Sequence, residues 1–141
     1  LRDAYRYTLN EEFVDVLRES LMLYAPIREL LEEKGFIVEA PGMLMGSSGV
    51  SHRFDFIAYR YKGGDRKVYA LDVASRDAPI EEAEVISLFV KVFDVKPNKA
   101  ILVAVPGATD RALKLAQSYG IEVVLGKDIE EAIKKLGEAI P

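Results

Sequence analysis

Apolar and polar residues change period along this chain, and the changes mark its elements. Residues 11–34 repeat at the helical period, with Asn10 placed to cap and Glu11 and Glu12 at the positive end of the helix dipole. Pro26 interrupts that stretch. Its missing N–H predicts a break into a short helix and a second one, "PIRELLEEKG", stopped by Gly35. "FIVEA" reads as a short strand closed by Pro41 and Gly42. "HRFDFIAYRY" alternates as a strand does, "KGGD" supplies two turn glycines, and "KVYALDVAS" is the returning strand, so residues 52–75 form a hairpin. "APIEEAEVISLFVKVFDV" returns to the helical period, with Val85, Leu88, Phe89 and Val92 as its apolar stripe.

The last third alternates differently. "KAILVAVP" and "IEVVLG" are continuously apolar, the pattern of strands covered on both faces. Between and after them lie two helices, "ATDRALKLAQSYG" and "DIEEAIKKLGEAI", the second with an Asp128–Glu131 capping pattern. The order αβββαβαβα, antiparallel at the front and parallel behind, predicts an α/β fold. The expected architecture has three layers, α/β/α, around a mixed central sheet. Neither a repeat nor a linker divides the chain, so residues 1–141 read as a single domain with 1–16 as an N-terminal extension.

Composition removes whole classes of chemistry. Without cysteine there are no disulfides, thiolate zinc sites, iron–sulfur clusters or thiol nucleophiles, which suits a cytoplasmic protein. No apolar run reaches the roughly 20 residues that span a bilayer. Side-chain amides are scarce and Lys, Arg and Glu abundant, a composition of proteins from hot environments. The net charge of −4 argues against a non-specific DNA binder working by bulk phosphate neutralisation. A nucleic-acid role would need a local basic patch.

Two carboxylates, Asp55 and Asp72, fall inside the hairpin strands, where Asp is disfavoured and its charge is costly to bury. A divalent cation shared between them would remove that cost, and Mg²⁺ or Mn²⁺ suits oxygen ligands. The plain alternative is a solvated or Arg-paired strand-end Asp, with Arg53, Arg60 and Arg76 near enough to serve. Alternation places Asp55 on a face with Arg53 and Ile57, and Asp72 on one with Val68, Ala70 and Ala74.

The element order and the pattern "GSSGVSHRFDFIAY … KVYALDVAS" resemble the restriction endonuclease-like, or PD-(D/E)xK, superfamily. "AILVAVPGATDRALKLAQSYGIEVV" resembles the tail of Mrr-like and other archaeal nuclease domains. The resemblance, over about residues 17–125, implies Asp55 and Asp72 as metal ligands, the carbonyl of Val73 completing the set. Ala74 stands where the superfamily has its lysine, so Arg76, or Lys91 on the following helix, would take that part. The resemblance therefore implies a nucleic-acid-associated nuclease-fold protein with a degenerate catalytic site, acting as a binding module. One alternative is an active Mg²⁺- or Mn²⁺-dependent DNA endonuclease or exonuclease. The other is a protein-interaction domain similar to archaeal proteins that bind the TATA-binding protein.

Other constellations add contact residues. His52, the only histidine, suggests a triad with Ser51 and Asp55, but adjacent strand residues point to opposite faces. "GMLMGSSG" has the glycines of a phosphate loop without its lysine, and reads as a loop flanking the site with Ser48 able to contact phosphate. "YRYKGGDRK" groups Arg60, Lys62, Arg66 and Lys67 with two tyrosines. That suits a nucleic-acid backbone, or a hairpin edge guarded by charge. With His52 and Arg53 these are the expected nucleic-acid contacts. "ISLFVKVFDV" has apolar residues to spare for a homodimer face. DNA, a protein partner or a second copy are the expected partners, and a membrane is not.

Overall fold

The computed structural model describes residues 24–141. The expected cap at Asn10, the acids Glu11 and Glu12, and the extension 1–16 lie outside the described residues. Residues 24–33 are helical (α1) and include Pro26; the short helix expected ahead of it lies outside the described residues. Ile27 and Leu31, one turn apart, turn the buried side of α1 to the sheet.

Ten further elements follow: β1 (Ile37–Glu39), β2 (Gly42–Met45), β3 (Ser51–Phe54), β4 (Phe56–Lys62), β5 (Asp65–Ser75), α2 (Glu82–Val95), β6 (Lys99–Val105), α3 (Asp110–Ser118), β7 (Glu122–Leu125) and α4 (Ile129–Ala139). The main sheet has the order β1-β4-β5-β6-β7. Its first three strands are antiparallel and its last three parallel. Gly63 and Gly64 both take positive φ, 63° and 88°, which lets β4 return directly into β5.

Strand β6 explains the layers. Ile101, Val103 and Val105 point into a core with α1 and α4, containing Ile27, Leu31 and Leu136. Ala100, Leu102 and Ala104 point into a second core with α2 and α3, containing Val85, Leu88 and Ala112. The continuous apolar run is thus shared between two cores, one on each face, and the fold is a three-layer α/β/α sandwich on a mixed sheet. Among the described residues no helix is long and apolar enough to cross a membrane.

The front of the hairpin differs from expectation. "HRFDFIAYRY" is two strands, broken at Asp55. β3 pairs with β2 in a separate two-stranded sheet, and "GMLMGSSG", expected as a loop, supplies β2 and the turn. The break has a physical cause. The Asp55 N–H donates to Asp72 Oδ1 at 2.9 Å, and the Val73 N–H donates to Asp55 Oδ2 at 2.8 Å. Two side-chain bonds replace the backbone ladder where it would have continued. Alternation also slips: Phe54 and Ile57 share one core, so Asp55 does not share a face with Ile57 as a single strand would require.

Candidate functional site

The break opens a cleft of about 430 Å³ between the end of β5 and helix α2. Asp55 enters from the β3–β4 junction and Asp72 from β5; Lys91 and Glu84 come from α2, and Tyr24 from α1. Arg53 and Arg76 stand at its edges, mostly exposed.

Asp55 is buried, and its charge is met from three sides. Val73 donates its amide, Arg53 Nη1 donates to Oδ1 at 3.0 Å, and the Tyr24 phenol lies against it. Burial, and then hydrogen bonding to Asp55, push the Tyr24 phenol well above the usual phenol range, so it remains a proton donor. Asp72 takes the Asp55 amide on Oδ1 and the Lys91 ammonium on Oδ2 at 2.5 Å. Burial raises the Asp72 carboxyl above its ordinary value. The Lys91 bond and the Asp55 amide pull the other way without cancelling it. Lys91 Nζ also donates to the Arg53 carbonyl at 2.6 Å and sits 4.5 Å from the centre of the Phe54 ring. It is therefore fixed by an ion pair, a hydrogen bond and a cation–π contact.

All four carboxylate oxygens of Asp55 and Asp72 thus already accept from protein donors. Among the described residues, no three His, Cys, Asp or Glu side chains gather as a metal-binding group. Each of these oxygens keeps a second lone pair, so a divalent ion between Asp55 and Asp72 would compete with Lys91 and Arg53 for the two carboxylates.

Asp55, Asp72, Val73, Arg53, Arg76 and Lys91 all line this cleft. Val73 meets Asp55 through its amide N–H. Ser48 and His52 lie at a different point. Asp94, near the end of α2, accepts from the Ser48 amide at 2.9 Å, from Ser48 Oγ at 2.5 Å, and bonds His52 Nε2 at 2.7 Å. These bonds hold the Asp94 carboxyl down to about 2. The histidine's acid partner is therefore Asp94, and the triad with Ser51 and Asp55 does not form. Arg60 donates to the carbonyls of Lys34 and Pro141 and lies 4.3 Å from the Phe36 ring, tying the end of α1 to the carboxyl terminus. Arg66 stacks on Tyr59 at 4.6 Å, and Lys62 and Lys67 stand on the same hairpin, in different registers from the cleft.

Sequence reasoning missed Tyr24, Glu84 and Asp94. Glu84, Ser87 and Lys91 recur at helical spacing and line the cleft together, a polar stripe legible in α2. Tyr24 comes from the first helix, remote in sequence from both carboxylates. Asp94 gave no signal, since 42 residues separate it from His52.

No known family model matches the chain, and no curated protein does. Among solved structures, AF1548, a protein of unknown function, aligns at 19% identity with a TM-score of 0.61, over 82% of this chain and 67% of that one. VC1899 from Vibrio cholerae aligns at 10% identity with a TM-score of 0.59, over 84% of this chain and 32% of its own. The DNA modification-dependent restriction endonuclease AspBHI gives a looser likeness, at 15% identity with a TM-score of 0.45, over 86% of this chain and 36% of its own. The chain spans about a third of the length of the latter two. What it shares with AF1548 and VC1899 is the fold.

Proposed function

We propose that the chain is a nucleic-acid-associated binding module on a restriction endonuclease-like core, its carboxylate pair locked rather than catalytic. The observation that carries this reading is the Lys91 ammonium on Asp72, with every oxygen of the two carboxylates already accepting from the protein. A hydrolytic metal centre needs carboxylate oxygens free to ligate and a group that positions water. Here Ala74 stands in the lysine's place, and the recruited lysine neutralises an acid instead. Arg76 cannot readily act as a base. It and Arg53 remain at the rim of the cleft as phosphate contacts. With a net charge of −4, binding is modest and salt-sensitive.

The test is fluorescence anisotropy with labelled duplex and single-stranded DNA at low salt, in EDTA and in Mn²⁺, beside a cleavage gel. Wild type and a folded Asp72→Ala variant are both expected to bind in EDTA and to cut nothing. Mn²⁺-dependent cleavage that Asp72→Ala abolishes would establish the alternative, a metal-dependent deoxyribonuclease. A second reading, a protein-interaction domain, is favoured by apolar side chains exposed outside the cleft. Failure to bind any nucleic acid at low salt would select it.

A further inference from the structure

Helix α2 carries two apolar faces where a helix lying on a sheet needs one. Val85 and Leu88 are buried in the core, with Phe89, Val92 and Val95 packed against it. Ile86, Val90 and Phe93, spaced four and three residues apart, form a separate stripe and stand 46%, 56% and 67% exposed. Beside the end of this helix, the β2–β3 turn is pinned to Asp94 and leaves Met45 and Val50 70% and 56% exposed.

We infer that this face is the seam of a homodimer, with α2 packed antiparallel on α2 of a second copy. Charge complementarity selects the occupant. Glu82 precedes Ile86 by one turn on the same side of the helix, and Lys96, exposed, follows Phe93 just past the last turn. A two-fold axis near Val90 lays Ile86 against Phe93 of the partner subunit. The same rotation sets Glu82 opposite Lys96 of the partner subunit, twice over, so the surface is complementary to itself as an isologous contact must be. The helix dipoles then run antiparallel, each positive end beside a negative one. Among the described residues Glu82 has one ion pair, a 3.5 Å contact to the largely exposed Arg111, which leaves it reachable. A stable interface covers about 800 Å² per partner. The α2 stripe is too narrow for that alone, and Met45 and Val50 widen it toward the hairpin. The dimer does not depend on the nucleic-acid reading, since none of these residues holds the carboxylate pair.

Gel filtration with light scattering, from micromolar to tens of micromolar chain, tests the inference. Wild type is expected at twice the chain mass of 15.7 kDa. Val90→Arg and Phe93→Glu are expected at the chain mass, each with a cooperative melt whose midpoint does not depend on concentration, unlike that of the wild-type dimer. Glu82→Lys is expected to weaken the dimer at least tenfold, and adding Lys96→Glu to restore it. Wild type at the chain mass throughout overturns the inference; if Val90→Arg then also lowers the melting temperature, the chain's own residues 1–23 cover the face. A wild-type dimer indifferent to Val90→Arg overturns it equally, because the seam then lies elsewhere.

Discussion

Lys91 and Asp72 are each 20% exposed, and among the described residues each is the other's only charged partner within bonding reach. Removing the ammonium leaves a largely buried carboxylate with one backbone donor. Lys91→Met is therefore expected to destabilise the fold by about 1–3 kcal/mol in urea titrations, below the range for fully buried pairs. Asp72→Asn in the same chain removes the stranded charge but keeps an oxygen for the Asp55 amide. The double variant should recover most of the loss. Burial has raised the Asp72 carboxyl above its ordinary 3.8, so its ionisation works against the fold as pH rises through that raised value. The Lys91→Met deficit should accordingly be larger at neutral pH than below 3.8, where Asp72 is protonated with or without its partner. A deficit that does not vary with pH would mean that Lys91 stabilises by packing on Phe54 alone. Asp94 has the opposite sign. Its carboxyl is held down to about 2, so its contribution is complete above 3.8 and lost as pH falls through about 2. The stability gap between wild type and Asp94→Asn should close over that window; a gap that widens there would show that Ser48 and His52 are not what lowers it.

Phe54 anchors the base of the β2–β3 hairpin in the core, whereas its turn is tied to α2 through Asp94, and Gly46 is what allows that tie. A Cβ at Gly46 would lie 2.0 Å from Asp94 Oδ2, the oxygen that takes Ser48 Oγ and His52 Nε2. Gly46→Ala must push that carboxylate out of all its bonds at once. The expected loss is about 1–3 kcal/mol, as for overpacking elsewhere. Amide exchange should rise across β2 and β3 while β5 and β6 keep their protection. Uniform acceleration across the sheet would show instead that the hairpin is part of the main core. This element also marks the limit of what sequence patterning could reveal. The turn at Gly63–Gly64, the apolar β6 and the cap at Asp128 were legible because each is fixed by neighbours in sequence. The approach of Lys91 to Asp72 was expected only from the family resemblance, not from the pattern of the chain. The break at Asp55 was not legible, because it depends on Asp72 and Val73, 17 and 18 residues away, outbidding the ladder for hydrogen bonds. A single alternating stretch carries no record of a competitor on another strand.

At the scale of the whole molecule, α2 faces two ways. One flank, with Glu84 and Lys91, walls the cleft, and the stripe of Ile86, Val90 and Phe93 is exposed on the other, where the seam is proposed. Pairing two copies through α2 therefore sets two clefts on either side of one helix pair, whose axes pack about 8–10 Å apart. Each cleft carries Arg76 at its rim, and Arg53 where phosphate draws it off Asp55, so the proposed dimer would offer two equivalent pairs of arginines on a chain of net charge −4. Counterion release turns this into a number. If each rim arginine neutralises one phosphate, the logarithm of the affinity for duplex DNA should fall against the logarithm of salt with a slope near −4 for the dimer and about −2 for monomeric Val90→Arg. Arg76→Ala should then make the dimer's slope shallower by about 2, because it removes one contact from each copy. A slope near −5 that Arg76→Ala leaves unchanged would shift the contact surface from the clefts to the β4–β5 hairpin, where Lys62, Arg66 and Lys67 lie. Equal slopes for wild type and Val90→Arg would show that the two clefts bind independently, with the α2 seam playing no part in recognition.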